Sequence, residues 1–172
     1  MRTSKRWTNV TFTHRVDHEA GMHRGPAAAK GPRICERCGA VYTKRRWTLA
    51  PTIRPRTGPQ ISVPDLTLCP ACQMAAEGRF GGEVRLSGAF LSGHRGEIEQ
   101  LIRNEARRAS DDNPLGRIVR MDRTAAGFTV RTTTEHLAQR IGHALHKAFH
   151  GTVRYRFSHE NKFAHVIWSR ER

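Results

Sequence analysis

The chain has 172 residues, with 30 Lys+Arg against 15 Asp+Glu and a formal charge of +15. No apolar run approaches the roughly eighteen residues of a membrane-spanning helix, and Met1-Arg2-Thr3-Ser4-Lys5-Arg6-Trp7 leads into polar residues, so no secretory signal is expected. A charge this positive points to a polyanion, nucleic acid first, and 25 of the 30 basic residues are arginine, whose planar fork suits phosphate.

Residues 1–33 carry seven basic and two acidic side chains and the tract Gly25-Pro26-Ala27-Ala28-Ala29-Lys30-Gly31-Pro32. With so little to bury, they read as a disordered basic arm. Within it Arg2, Lys5, Arg6 and Trp7 are candidate nucleic-acid contacts, three cations beside a flat ring. His14, His18 and His23 lack enough acidic partners to suggest a second metal site.

Residues 34–80 hold all four cysteines and five of the eight prolines, with no long periodic stretch. Such a segment is organised by a metal rather than by a core. Cys35-Glu36-Arg37-Cys38-Gly39 and Cys69-Pro70-Ala71-Cys72 are two knuckles whose two-residue gaps let each thiolate pair reach one ion. Together Cys35, Cys38, Cys69 and Cys72 close a tetrahedral four-sulfur site, which leaves no open position and so argues for structure rather than catalysis. Two close pairs with no cysteine left over also fit a reducing, cytoplasmic compartment better than a disulfide framework. The pattern is similar to zinc ribbons and to rubredoxins. Rubredoxins, which bind iron, are acidic as a class and have Gly after the second knuckle. Here the stretch between the knuckles carries Lys44, Arg45, Arg46, Arg54 and Arg56 against Asp65 alone and Gln73 follows the second knuckle, so Zn2+ is the expected ion and iron the less favoured one. Lys44-Arg45-Arg46-Trp47 is a second group of cations beside a ring, placed to grip phosphates and stack on an unpaired base.

Residues 81–172 hold most of the apolar residues and show clear periodicities. A strand over Val84–Leu91 opens after Gly81-Gly82. A helix over 95–109 places Ile98, Leu101, Ile102, Ala106 and Ala109 on one stripe and stops at Asp111-Asp112-Asn113-Pro114. Strands over Arg117–Asp122 and Phe128–Thr132 form a hairpin, with Val119 and Met121 facing inward. Thr132-Thr133-Thr134-Glu135 offers a capping box for a helix carrying Leu137, Ile141, Leu145 and Ala148 towards Gly151. Two strands, Thr152–Ser158 and Phe163–Arg170, turn at His159-Glu160-Asn161-Lys162. The expected class is α+β: a zinc-ribbon or rubredoxin-like knuckle module, then a ferredoxin-like split βαβ domain with one extra strand and both helices on one sheet face. Strand alternation then puts Arg85, Arg120, Arg131, Arg154 and Arg156 together on the opposite face, a row able to track a phosphate backbone. Phe128 shares the inward parity of Val130, so the outward aromatics of an RNA-recognition motif are missing from that strand.

Ten histidines invite an enzyme hypothesis. His143, His146 and His150 fall off the apolar stripe and are expected to be exposed, adding charge in mild acid. His159-Glu160 sits in a turn. There is no Gly-rich phosphate loop before a helix, no serine elbow and no zincin motif. Neither catalysis nor a small-molecule substrate is expected.

The paired knuckles, then Ala125-Ala126-Gly127-Phe128-Thr129-Val130, then Thr132-Thr133-Thr134-Glu135-His136-Leu137-Ala138-Gln139-Arg140-Ile141-Gly142 and Leu145-His146-Lys147-Ala148, carry a family resemblance. Over roughly residues 34–170, and most distinctively over 125–148, the chain resembles the nonsense-mediated-decay-three large-subunit export adaptors and their short prokaryotic relatives. Members bind the large ribosomal subunit, so the resemblance implies a ribosome- or rRNA-binding role. The longer members have more knuckles and additional domains with export signals, and nuclear export is not carried over. The resemblance assigns no contact residue, and the basic residues named above come from charge and geometry. The resulting expectation is a cytoplasmic, zinc-dependent rRNA-binding factor on the large subunit, acting in hibernation or assembly. Alternatives are a DNA-binding or transcription-associated zinc ribbon and a small iron- or metal-dependent enzyme.

Overall fold

The computed structural model describes residues 32–43, 45–49, 65–124, 127–158 and 163–172. Arg2, Lys5, Arg6, Trp7, Lys44, Arg54 and Arg56, the arm histidines and the His159–Lys162 turn lie outside the described residues.

The first sheet is built from four three-residue strands, β1 (Arg33–Cys35), β2 (Val41–Thr43), β3 (Arg46–Thr48) and β4 (Asp65–Thr67), in the order β3-β2-β1-β4. β1 pairs antiparallel with β2 and parallel with β4, and a short helix α1 (Pro70–Ala76) follows. Strands this short bury little, and the small core they share is made largely of sulfur: Cys35, Cys69 and Cys72 with Ala40 and Ala71, flanked by Cys38, Trp47, Leu68 and Leu115.

The second sheet has five strands, β5 (Gly82–Ser87), β6 (Ile118–Thr124), β7 (Gly127–Thr132), β8 (Thr152–Ser158) and β9 (Phe163–Ser169), in the order β6-β7-β5-β9-β8. Helices α2 (Phe90–Asp112) and α3 (Glu135–Phe149) complete it, and the class is α+β. β5 and β6 flank the antiparallel β7, which is a split βαβ half. The second half departs from a plain split order. The strand after α3, β8, lies at the edge, and β9 enters between it and β5, parallel to β5. Composition explains the swap. β9 buries Ala164, Val166 and Trp168 completely and belongs in the centre, whereas β8 alternates exposed Arg154 and Arg156 with half-buried residues and suits an edge.

The core lies between this sheet and the helices. Ile98 and Ile102 of α2 and Leu137, Ile141 and Leu145 of α3 meet Val84, Phe128, Val130, Val166 and Trp168. The α2 stripe packs as its spacing requires, with Leu101, Ala106 and Ala109 against the same core. The helix is longer than the stripe, beginning at Phe90 through a kink at His94.

Three local expectations are corrected. Thr132 is not the first member of a capping box: its hydroxyl donates to Gly82 and Thr134 carbonyls, and Thr134 is the cap, accepting from the Leu137 N–H. On β6 a register shift between Ile118 and Arg120 turns Ile118, rather than Val119, onto the core beside Met121. The α3 stripe ends on Phe149, which packs on the core, while Ala148 is exposed. Two glycines are required by close approach. A Cβ at Gly127, whose φ is 146°, would meet the Leu86 carbonyl oxygen at 2.0 Å, and one at Gly142 would meet Val166 Cγ1 at 2.6 Å. No helix among the described residues is long and apolar enough to cross a membrane.

Candidate metal centre and basic sheet face

The four cysteines converge because two tight devices face each other. Cys35 ends β1, and a turn brings Cys38 back over it, closed by Gly39 N–H to Cys35 O at 2.8 Å and Cys35 N–H to Ala40 O at 2.7 Å. Gly39 takes a φ of 71°, which glycine tolerates without strain. The parallel pairing of β1 with β4 then sets Cys69 beside Cys35, and Cys69 caps α1, whose first turn supplies Cys72.

All four sulfurs lie within 4.8 Å of one another. Four sulfurs at about 2.3 Å from one tetrahedral ion stand about 3.8 Å apart, and the Cys38 and Cys69 sulfurs are separated by 3.7 Å. Backbone N–H groups point at two of the sulfurs, from Cys69 to Cys35 Sγ at 3.3 Å and from Cys72 to Cys69 Sγ at 3.4 Å. Burial by itself would raise the Cys35 thiol, but N–H groups led by that of Cys69 hold it down at about 6. Burial pushes Cys69 and Cys72 up, Cys72 to about 11; the Cys72 N–H holds Cys69 back and the bond with Cys69 holds Cys72 back, while Cys38 adds to the rise of both. Four thiols so close cannot all ionise by themselves, and a divalent cation among them removes that conflict. The donor set therefore fits a thiophilic metal ion.

Arg117, which the sequence did not single out, reaches this centre from the segment that leads into β6. Its Nη1 lies 3.7 Å from Cys72 Sγ, and its Nε donates to Pro114 O at 2.7 Å. Its backbone N–H donates to Thr133 Oγ1 at 2.8 Å. Burial would lower its pKa, but the sulfurs of Cys38, Cys72 and Cys69 raise it. Leu115 packs on the cysteine cluster beside it.

Of the basic residues nominated between the knuckles, Arg45 and Arg46 are exposed at the β2–β3 turn. Arg45 holds a φ of 64°, unusual for a non-glycine residue. Trp47 is half-buried against the cysteine cluster, its ring 5.3 Å from that of Tyr42, so much of it serves the module's core.

The sheet arginines share the face opposite the helices. One cross-strand row runs Arg120, Arg131, Glu83, His165, Arg156, and the next runs Asp122, Thr129, Arg85, Ile167, Arg154. Acids reach three of the five arginines. Glu83, whose side chain is 5% exposed, holds Arg85 Nε at 2.7 Å and lies 3.5 Å from Arg131 Nε, while Asp122 pairs with Arg120 and, at 3.2 Å, with Arg131. Arg154 and Arg156 are exposed and have no acidic partner among the described residues. Five arginines against two carboxylates leave the face positive.

The face also carries aromatic rings. Phe163 and His165 share the outward parity of β9, their ring centroids 4.5 Å apart, and Phe80 meets Phe163 edge-on at 5.5 Å. Alternation with the buried Ala164, Val166 and Trp168 is the signal that could have found them. His143, His146 and His150 are exposed, as their spacing implied. The His143 pKa is lowered, by partial burial and then by His146, which limits the charge it adds in mild acid.

No family model, curated protein or solved structure matches the chain.

Proposed function

We propose that this chain is a zinc-binding, ribosome-associated factor that binds rRNA, on the large subunit, and acts in ribosome hibernation or assembly in the cytoplasm. The observation that carries the reading is the outer face of the five-stranded sheet, where five arginines stand in cross-strand register over two carboxylates. A flat cationic face with planar donors suits the phosphates of a folded RNA. The resemblance over residues 125–148 supports the ribosome as the particle that presents it.

In this reading Cys35, Cys38, Cys69 and Cys72 hold a structural Zn2+, which supplies folding energy to a module with almost no apolar core. Iron is the less favoured occupant, given the basic loop between the knuckles. The role of this chain's own residues is presentation. β2 and β3 hold Arg45 and Arg46 at an exposed turn, and Arg117 ties the thiolate cluster to the segment that enters β6. A ferredoxin-like frame with β9 as its extra strand carries the arginine face on the side away from the helices.

Sedimentation of native extract through a sucrose gradient tests the reading, with fractions blotted for this chain at low and raised salt. The expected result is co-migration with the large subunit that survives moderate salt. Confinement to the top of the gradient in both growing and starved cells would overturn it.

A further inference from the structure

An open pocket of about 460 Å³ lies on the arginine face, lined by Phe80, Glu83, Arg85, Ser158, Phe163 and His165. That volume falls within the range of about 300–1,000 Å³ common for small-ligand sites. Its walls are mixed in an informative way. Phe80 and Phe163 supply aromatic surface, the His165 ring lies against Phe163, and Arg131 sits over Phe80, its guanidinium carbon 5.0 Å from the ring centroid. At the base is the Glu83 carboxylate, with Arg85 Nε at 2.7 Å, Arg131 Nε at 3.5 Å and His165 Nδ1 at 3.7 Å. Arg131 Nε is buried and has no hydrogen-bond partner.

Each element of the lining narrows the occupant. A free phosphate would leave the two phenyl rings uncovered and would find Arg85 already paired with Glu83. A purely apolar ligand would leave that carboxylate and the surrounding cations without a role. A nucleobase satisfies both demands: its π face matches the aromatic wall of Phe80 and Phe163, and the acceptors and donors on its edge match Arg85, His165 and Ser158 around it. The phosphates joined to it would meet Arg85 at the rim and Arg154 and Arg156 beside it. On β8, Arg154, Arg156 and Ser158 share one face at successive steps of about 6.8 Å, which extends the cationic track beyond the pocket and favours a strand over a single nucleotide.

We infer that the Phe80–Glu83–Phe163–His165 pocket seats one unpaired base of a single-stranded RNA segment whose backbone runs over Arg85, Arg154 and Arg156. This rests on the rRNA-binding reading and deepens it: the protein reads a looped-out or single-stranded site, by stacking, rather than an uninterrupted duplex.

The test uses the full zinc-loaded chain, a labelled single-stranded RNA 12-mer of mixed sequence, polyphosphate as a polyanion without bases, and mixed nucleoside monophosphates as competitors. Phe163→Ala is expected to weaken RNA binding about 5- to 160-fold, the range of one lost base–aromatic stack, and to leave polyphosphate binding unchanged. Phe163→Trp is expected to bind RNA normally, with the indole emission it adds over the wild type quenched by the RNA and unaffected by polyphosphate. Wild-type RNA affinity in Phe163→Ala, or equal quenching by polyphosphate, would overturn the inference. So would monophosphates competing as well as the 12-mer does. Gradient sedimentation of the same proteins separates the two claims. Ribosome co-migration without a Phe163 effect on the 12-mer removes the pocket and keeps the ribosome reading, and the reverse pair of results keeps the pocket and removes the ribosome.

Discussion

Arg117 Nη1 stands 3.7 Å from Cys72 Sγ, so the only cation seen against the four-sulfur cluster among the described residues comes from outside the knuckle module. A tetrahedral site of four thiolates around a divalent ion carries two negative charges, and a half-buried guanidinium beside it offsets part of that charge. The same residue is anchored through Pro114 and Thr133, so the four-cysteine cluster and the β6–β7 end of the sheet are mechanically joined.

Arg117→Ala is expected to lower metal affinity about 10- to 100-fold, as losing a partner that orients ligands does. Arg117→Lys retains the charge and recovers part of the loss. Competition with a chromogenic chelator measures both; unchanged affinity in Arg117→Ala would mean the contact has no electrostatic role.

Cys35→Ser removes one of the four proposed ligands, the one whose thiol pKa is held down by backbone N–H groups. The expected result is loss of about one equivalent of bound metal and of hydrogen-exchange protection over β1–β4 and α1. Protection persists in β5, β7 and β9, whose core of Val84, Phe128, Val130 and Trp168 does not involve the metal. Collapse of both regions together would show that the Arg117 and Leu115 contacts make them one cooperative unit.

Arg45 holds its left-handed backbone at the tip of the β2–β3 turn, a conformation that costs an L-residue about 1–2 kcal/mol. Arg45→Gly removes the strain and adds chain entropy to the unfolded state, so module stability is expected to stay level or rise by up to about 1 kcal/mol. RNA binding, in contrast, should weaken and its salt slope flatten by about one unit. A variant that is as stable and binds equally well would remove this turn from the interface.

Gly142→Ala places a Cβ 2.6 Å from Val166 Cγ1 and 3.1 Å from the Tyr155 hydroxyl, where α3 crosses the sheet. Overpacking of this kind costs about 1–3 kcal/mol. Thermal or urea unfolding measures it, and a neutral result would mean α3 can move away from β9.

Partial burial, and then His146, lower the His143 pKa from its ordinary value near 6.5. A histidine whose folded pKa is depressed contributes stability present above the unfolded pKa and lost as pH falls through the folded one. Relative to His143→Gln, the wild type should therefore lose melting temperature as pH drops below about 6.5. Parallel curves for the two proteins from pH 8 to 5 would contradict the assignment.

The elements with strong local signals were readable from the chain. Two Cys-x-x-Cys spacings announce the thiolate cluster, and alternation in Val84-Arg85-Leu86 and Phe128-Thr129-Val130-Arg131 separates the buried face from the arginine face. The position of β9 was not readable. Pairing order is decided by which strand buries more once the sheet assembles, and β8 and β9 alternate with the same period. Trp47 was ambiguous because a ring beside three cations suits either RNA or a small core, and the shortage of other apolar groups near the sulfurs draws it inward. Arg117 carries no local signature at all: it is one of 25 arginines, and only the tertiary fold brings it to Cys72.

The most direct test of the central claim is ultraviolet crosslinking of the chain to RNA in living cells, followed by sequencing of the attached fragments. The account predicts crosslinks concentrated in large-subunit rRNA at single-stranded or looped segments, with the strongest protein attachment near Phe163 and Arg154–Arg156. Crosslinks scattered over messenger RNA, or enrichment on chromosomal DNA instead, would contradict it.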